Sequence, residues 1–367
     1  MSYKIFTINP GSTSTKIALF DGEKELFSAN VRHEADKLKT YATVSDQLPY
    51  REETIMNELA KAGIDLSEAD AFCGRGGGLL AVEGGTYSVN ETLLDHATAG
   101  ANGVQHPAQL GPQLAKKFAD KYGKKAYVVN PPDTDELQDV ARVTGIKGVY
   151  RNVHLHALNL KETAIRHAAS QGKKYEEQNY IVCHIGGGTS ISAHRQGLMV
   201  DGYDIVGGEG PMTPTRCGAV PMAEAVRYMD KTGKTVKEML GFCMKNGGFV
   251  DHLGTSDAIE VTRMAANGNQ EAALVWEAMI YQINKAIGSM ASVLEGKVDG
   301  ILLGGGMVHN RDLVKAIEKT NGWIAPVYAY PGEFEMEAMA SGVIRVLEGK
   351  EALKEYTGIP RWRGFGF

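Results

Sequence analysis

Residues 3–8 carry the β-branched and aromatic content of a strand, and 17–20 read as another. The turn between them, from Asn9 to Lys16, is built of small hydroxyl residues and one glycine, Gly11. The second half repeats the figure: a strand pattern at 179–184, a turn through Gly186, Gly187, Gly188, Thr189 and Ser190, and another strand at 191–194. Residues 25–32 and 198–203 extend the two hairpins into meanders. Elsewhere the period becomes helical. Ile55, Met56, Leu59 and Ala60 share one face of 49–62 ahead of Gly63, and 107–122 and 156–169 are also helical. Short strands at 71–73 and 125–130 end in the glycines around Arg75 and in Pro131-Pro132. Further helical patterns begin at Met222, Val236, Asp257 and Glu271. The last carries Trp276, Ile280, Ile283, Ile287 and Met290 at helical spacing, as a central core helix does. A strand at 300–303, the turn Gly304, Gly305 and Gly306, a helix through Ile317, a strand at 324–330 and a helix at 335–347 close the chain. This alternation, with its internal duplication, predicts two α/β domains around a cleft, divided near residue 150.

The 367 residues suffice for two cores, and 43% hydrophobic with 23% charged residues describes an ordinary soluble protein. A net charge of −5 argues against a nucleic-acid or anionic-membrane surface as the main partner. Cys73, Cys183, Cys217 and Cys243 are scattered without a C-x-x-C pair, which speaks against a disulfide framework or zinc ribbon. No apolar run approaches the ~18 residues of a membrane helix, and no basic-then-apolar leader opens the chain. A cytoplasmic enzyme is the expectation.

The two hairpin turns supply candidate chemistry. Small side chains let backbone N–H groups approach anionic oxygens, and Ser12, Ser14 and Lys16 add hydroxyls and a point charge. Taken alone, such a Gly/Ser turn reads first as a polar hairpin. The Gly304–Gly306 turn follows a strand and precedes a helical pattern, another place for phosphate. Together the three turns suggest a split nucleotide site. Residues 231–235 end like a P-loop, but Tyr228 stands where its first glycine belongs and no strand leads in, so they read as a connector. His154 and His156, two apart, do not share a helix face and do not suggest zinc.

Arg75 lies among four glycines directly after a strand, and Arg216 sits in a Gly/Pro-rich loop at 207–218. Each is a lone cation delivered by a loop, with a surface salt bridge as the alternative for Arg75. His106 precedes Pro107 at a helix start, where capping alone could account for it. His184 ends an apolar run and reads either as a ligand group or as a satisfied buried histidine. Asp133 follows a strand end, where open sheets present ligand groups, or caps the next turn.

With these motifs in order, the chain resembles the acetate kinase/butyrate kinase family of the actin-like, sugar-kinase-like and heat-shock-ATPase-like superfamily. The resemblance runs from the Asn9–Lys16 turn to Glu335 and includes Arg75 with its glycines, His106-Pro107, Asp133-Thr134, His156 to Asn159, His184 to Ser190, Thr215 to Gly218, Leu253 to Asp257 and Gly304–Gly306. It implies duplicated actin-like ATPase (ribonuclease-H-like) domains flanking an interdomain cleft. Residues 1–150, completed by 335–367, are then the acyl-substrate domain, and 151–334 the nucleotide-binding and dimerisation domain of a homodimer. The implied reaction is phosphorylation of a short-chain fatty acid by ATP with Mg²⁺, reversibly giving an acyl phosphate and ADP. Arg75 and Arg216 bracket the carboxylate and the phosphoryl group, His184 bonds that group, and Asp133 orients an arginine or the metal's water. Asn9 and Glu335 hold Mg²⁺, with Glu333 as the fallback. Ser12, Ser14, Lys16, Gly186, Gly187 and Gly188 line the phosphates, while Asp257 and Gly304, Gly305 and Gly306 hold the nucleoside. His106 and His156 lie near the acid. Gly77 and Leu155 replace bulkier residues of acetate kinases, which implies room for a C4-type or branched acid. Acetate or propionate kinase activity, a sugar kinase with Asp133 as base, and a non-catalytic ATPase switch are the alternatives. The aromatic tail 361–367 matches no assigned role.

Overall fold

A computed structural model describes residues 2–366. The chain forms two compact units: residues up to Asp135 together with those from Phe334 on, and Glu136–Glu333.

The first unit holds a six-stranded sheet of β1 (Lys4–Pro10), β2 (Ser14–Asp21), β3 (Lys24–Arg32), β4 (Ala71–Gly74), β5 (Thr86–Ser88) and β6 (Lys125–Val129), in the order β3-β2-β1-β4-β6-β5. The first three strands form an antiparallel meander, while β4 runs parallel to β1 and β6 parallel to β4. Helices α1 (Ala35–Leu38), α2 (Leu48–Ala62), α3 (Glu91–Ala99) and α4 (Leu110–Tyr122) and the C-terminal helix Glu335–Leu347 complete it. The central strands are buried on both faces, which is why they read as continuous apolar runs rather than alternating ones. Phe6, Phe72 and Phe118 meet in the core with ring centroids 5.8–6.2 Å apart. At one point backbone packs on backbone: a Cβ on Gly74 would lie 2.0 Å from the Gly111 carbonyl oxygen. Only glycine lets the end of β4 meet the first turn of α4 this closely.

The second unit contains α5 (Asp139–Arg142), α6 (Ala157–Ser170), β7 (Asn179–Ile185), β8 (Thr189–Arg195), β9 (Leu198–Gly202), α7 (Met222–Thr232), α8 (Val236–Gly241), α9 (Phe249–Leu253), α10 (Ala258–Ala266), α11 (Gln270–Val293), β10 (Gly300–Gly305), α12 (Arg311–Asn321) and β11 (Val327–Pro331). Its sheet order is β11-β10-β7-β8-β9, an antiparallel β7–β9 meander with β10 and β11 parallel to β7. That repeats the arrangement β6-β4-β1-β2-β3, so the duplication legible in the two hairpins extends to the whole sheet. Helix α11 is the core helix its spacing predicts: Val275, Met279, Ile283, Ile287 and Met290 are buried, with Trp276 and Ile280 packed partly against them.

Three expectations change. The division falls between Asp135 and Glu136 rather than near 150, because Glu136 pairs with Lys161 at 2.8 Å and the Gln138 amide donates to the Val200 carbonyl. Strand β5 and helix α3 have no counterpart in the sequence reading; β5 spans three residues, and α3 buries only Leu93 and Ala97. The predicted helix at 107–122 opens with a 3₁₀ turn, Pro107–Gln109, before α4. The tail is bonded where it is described, the Arg361 amide donating to the Ala81 carbonyl, while Phe367 lies outside the described residues.

Candidate active site

In the first unit the parallel strands β1 and β4 end side by side, and their last residues project the candidate groups. Arg75 directly follows β4 and donates its amide to the Ile8 carbonyl at 2.8 Å. Its side chain is buried, with Nη2 3.5 Å from Oε1 of Glu335, the first residue of the C-terminal helix. Oε2 of Glu335 accepts from Asn9 Nδ2 at 2.7 Å. The residues assigned to the metal and the first candidate arginine therefore form one cluster. Arg75 Nη1 is buried with no hydrogen-bond partner among the described residues. Asp133 lies beyond the end of β6, buried, accepting from Asn102 Nδ2 at 2.6 Å. Ser12 and Lys16 of the β1–β2 turn are exposed and Ser14 half-buried. His106 does cap its helix: Nδ1 accepts from the Ala108 amide and the Gln109 side chain accepts from the His106 amide.

In the second unit His184 lies on β7 opposite Gly304 of β10 and stacks on His156, ring centroids 3.9 Å apart. Asn159 Nδ2 donates to His184 Nδ1 at 2.8 Å, which leaves the neutral ring's proton on Nε2, 3.6 Å from Glu333 Oε1. His156 Nδ1 pairs with Ser190 Oγ at 2.8 Å. The β7–β8 turn is built together with the loop that carries Arg216. Thr213 and Thr215 both donate their hydroxyls to the Gly187 carbonyl, at 2.8 and 2.9 Å. Arg216 Nε donates to the Met244 carbonyl at 3.2 Å, and its guanidinium lies over Gly188, where a Cβ would stand 1.9 Å from Nη1. Like that of Arg75, this Nη1 is buried without a partner among the described residues. Burial lowers the Arg216 pKa, partly offset by the nearby Asp204 carboxylate. A cavity of about 370 Å³ is lined by Ala258, Ile259, Thr262, Trp276 and Gly306 among others.

A model of the family described as the Acetokinase family matches residues 148–321. A probable butyrate kinase of Clostridium botulinum is 42% identical over 356 residues, covering 97% of this chain and 100% of that protein. The chain belongs to the acetokinase family. Butyrate kinase 2 of Clostridium acetobutylicum is equally 42% identical over 97% of the chain and 100% of its own length. The solved Porphyromonas gingivalis acetate kinase superposes with a TM-score of 0.77 at 19% identity, covering 94% of this chain and 100% of that one. That likeness shows the fold, the duplicated α/β class of actin-like ATPases expected from the sequence.

Within this acetokinase chain several predicted residues have structural duties as well. Asp257 caps α10, accepting from the Ile259 amide at 2.8 Å. The Gly304–Gly306 turn leads into a short 3₁₀ segment, Gly306–His309, and α12 starts only at Arg311, so the turn is not itself an α-helix start. Gly77 and Leu155 are both closely packed. A Cβ on Gly77 would meet Ala108 Cβ at 3.0 Å, and Leu155 is buried in a core cluster against Gly202. Residues 231–235 are the expected connector: Gly233 ends α7 and Thr235 caps α8. Three supporting residues escaped the sequence reading, namely Asn102 on Asp133, Asn159 on His184, and Arg51 beneath the β1–β2 turn. Asn159 lies within the His156–Asn159 match and could have been singled out from it. Asn102 and Arg51 carry no local signal.

Proposed function

We propose that the protein transfers the γ-phosphoryl group of ATP to the carboxylate of a C4-type or branched short-chain fatty acid, reversibly, giving an acyl phosphate and ADP. Its family and its 42% identical butyrate kinase relatives make it a phosphotransferase with a carboxyl acceptor. The observation that carries the reading is the pair of arginines, Arg75 buried and Arg216 half-buried, each with a buried Nη1 bonded to no described protein acceptor. A buried donor left unpaired is costly, and an oxyanion of substrate satisfies it. A carboxylate is ionised at pH 7 and needs no strong base, so the barrier lies in bringing two anions together in line.

Arg75 takes the carboxylate, Arg216 the transferring phosphoryl, and the Nε2 proton of His184 donates to the same group. Asp133, fixed by Asn102, orients the cationic side of the site. Ser12, Ser14, Lys16 and Gly186–Gly188 bind the phosphates, and the cavity beside Gly306 takes the nucleoside. His106 and His156 flank the acid. Asn9 and Glu335, joined by the hydrogen bond from Asn9 Nδ2 to Glu335 Oε2, would hold a Mg²⁺ ion largely through waters and phosphate oxygens. When bound, Mg²⁺ supplies charge neutralisation of the triphosphate. No helix among the described residues is long and apolar enough to cross a membrane; a cytoplasmic homodimer is the proposed working form. A panel of C2 to C6 acids with ATP and hydroxylamine tests the reading. Hydroxamate should form fastest with butyrate or a branched C4–C5 acid. Acetate or propionate preferred more than tenfold would reassign the substrate, and no hydroxamate with any acid would refute the activity.

A further inference from the structure

Arg51 is fully buried on α2, yet none of its hydrogen bonds goes to a carboxylate. Its guanidinium is spent on the underside of the β1–β2 turn. Nη1 donates to the Gly11 carbonyl at 2.9 Å, to Thr15 Oγ1 at 3.1 Å and to the Ser14 carbonyl at 3.4 Å. Nη2 reaches the Ser12 carbonyl at 3.4 Å. Gln47 Oε1 clamps the other side, accepting from Nε at 3.1 Å and from Nη2 at 3.0 Å. Thr15 in turn pairs with His33 Nε2 at 2.8 Å. Three carbonyls of one short turn are thus drawn inward onto a single cation. The amides of Ser12 and Thr13, by contrast, donate to no protein acceptor among the described residues.

The Gly11 amide closes the turn onto the Ser14 carbonyl at 2.7 Å, which leaves the Ser12 and Thr13 amides to offer an anion, and a positive charge beneath them adds to the field. The cost of the arrangement is visible. Burial lowers the Arg51 pKa to about 10 and, with Arg51 alongside, lowers that of His33 to about 4, so His33 stays neutral and adds no second charge. A methionine of similar volume would fill this space more cheaply, were packing the only need.

We propose that Arg51, clamped by Gln47, is a positioning residue for nucleotide phosphate: it fixes the β1–β2 turn in its anion-binding form and charges it from below. This rests on the reading of that turn as a phosphate site but not on the identity of the acid. A planar fork is required, because a lysine ammonium cannot reach three carbonyls and a hydroxyl at once.

The test measures the Kd for ATP and for adenosine by titration calorimetry, and KM for ATP and for butyrate, in the full-length protein and in Arg51→Met, Arg51→Lys and Gln47→Met. Arg51→Met should weaken ATP at least tenfold, with adenosine affinity and KM for butyrate changed less than threefold. Arg51→Lys should recover less than half of that loss on a logarithmic scale, and Gln47→Met should weaken ATP about threefold to tenfold. ATP affinity within twofold of wild type in Arg51→Met, or equal losses for ATP and adenosine, would overturn the proposal. Should Arg51→Met not fold, the other two variants decide it by the same criteria. Because ATP binding is read directly, a wild type that phosphorylates no acid refutes the carboxylate reading while leaving this test intact.

Discussion

Replacing Gly188 by alanine probes how the second unit holds its arginine. The backbone at Gly188 is not in the left-handed region, so alanine brings no φ strain. What it brings is a methyl group 1.9 Å from Arg216 Nη1 and 2.7 Å from Cζ, where ordinary contact starts near 3.4 Å. Nη1 must therefore retreat by about 1.5 Å, the difference between those distances. The colliding atoms are the far end of a flexible side chain, so the guanidinium swings aside and the β7–β8 turn stays. Misplacing a catalytic group by about 1 Å costs roughly 10²-fold in rate, about 2.7 kcal/mol of transition-state stabilisation. Gly188→Ala should thus lose about 10²-fold in kcat for hydroxamate formation while Tm moves by less than ~2 °C. The decisive control is Arg216→Ala. If the methyl acts by displacing the guanidinium, Gly188→Ala adds less than about threefold to the loss in an Arg216→Ala background. An unchanged kcat in the single variant, or the same 10²-fold loss in both backgrounds, would refute the reasoning.

Other expectations follow from the same geometry. Arg75→Ala and Arg216→Ala should each lower kcat by about 10³-fold or more with far-UV circular dichroism unchanged, since each removes a buried donor aimed at no described protein acceptor; retained turnover in both would remove them from the site. Asn159→Asp replaces the donor on His184 Nδ1 by an acceptor, moves the ring proton from Nε2, and should cost about 10²-fold in kcat. Wild-type rates there would show that the tautomer is irrelevant. His33, buried and neutral, has a folded pKa lowered to about 4 from 6.5. Its charged form is favoured only on unfolding, so its contribution to stability is complete above pH 6.5 and is lost as pH falls toward 4. His33→Gln should show a shallower fall in Tm between those pH values, and parallel curves for the two proteins would contradict the assignment.

How much of this was legible in the sequence depended on whether a signal was local. The hairpins, α11 and the duplication were readable because periods of two and 3.6 residues are set by nearest neighbours in each element. Arg75 and Arg216 stood out because glycines and prolines around a lone cation need a reason within the same loop. Arg51 had none: it sits among polar residues on α2 like any surface arginine, and its burial arises only when α2 packs beneath a turn 40 residues earlier in the chain. Asn102 is invisible for the same reason, meeting Asp133 across 31 residues. The neighbours of Gly77 and Leu155 were out of reach for the same reason: a Cβ on Gly77 would meet Ala108, and Leu155 lies inside a core cluster. The domain division moved because the Glu136–Lys161 ion pair joins residues 25 apart.

The claim on which the account rests is direct transfer of phosphoryl to a carboxylate oxygen. The sharpest check is ³¹P NMR of the product made from ATP and butyrate labelled with ¹⁸O in both carboxyl positions. The bridging oxygen must then come from the acid, so the acyl phosphate resonance should carry the upfield ¹⁸O shift. An unshifted acyl phosphate, or ADP and inorganic phosphate as the only products, would contradict it.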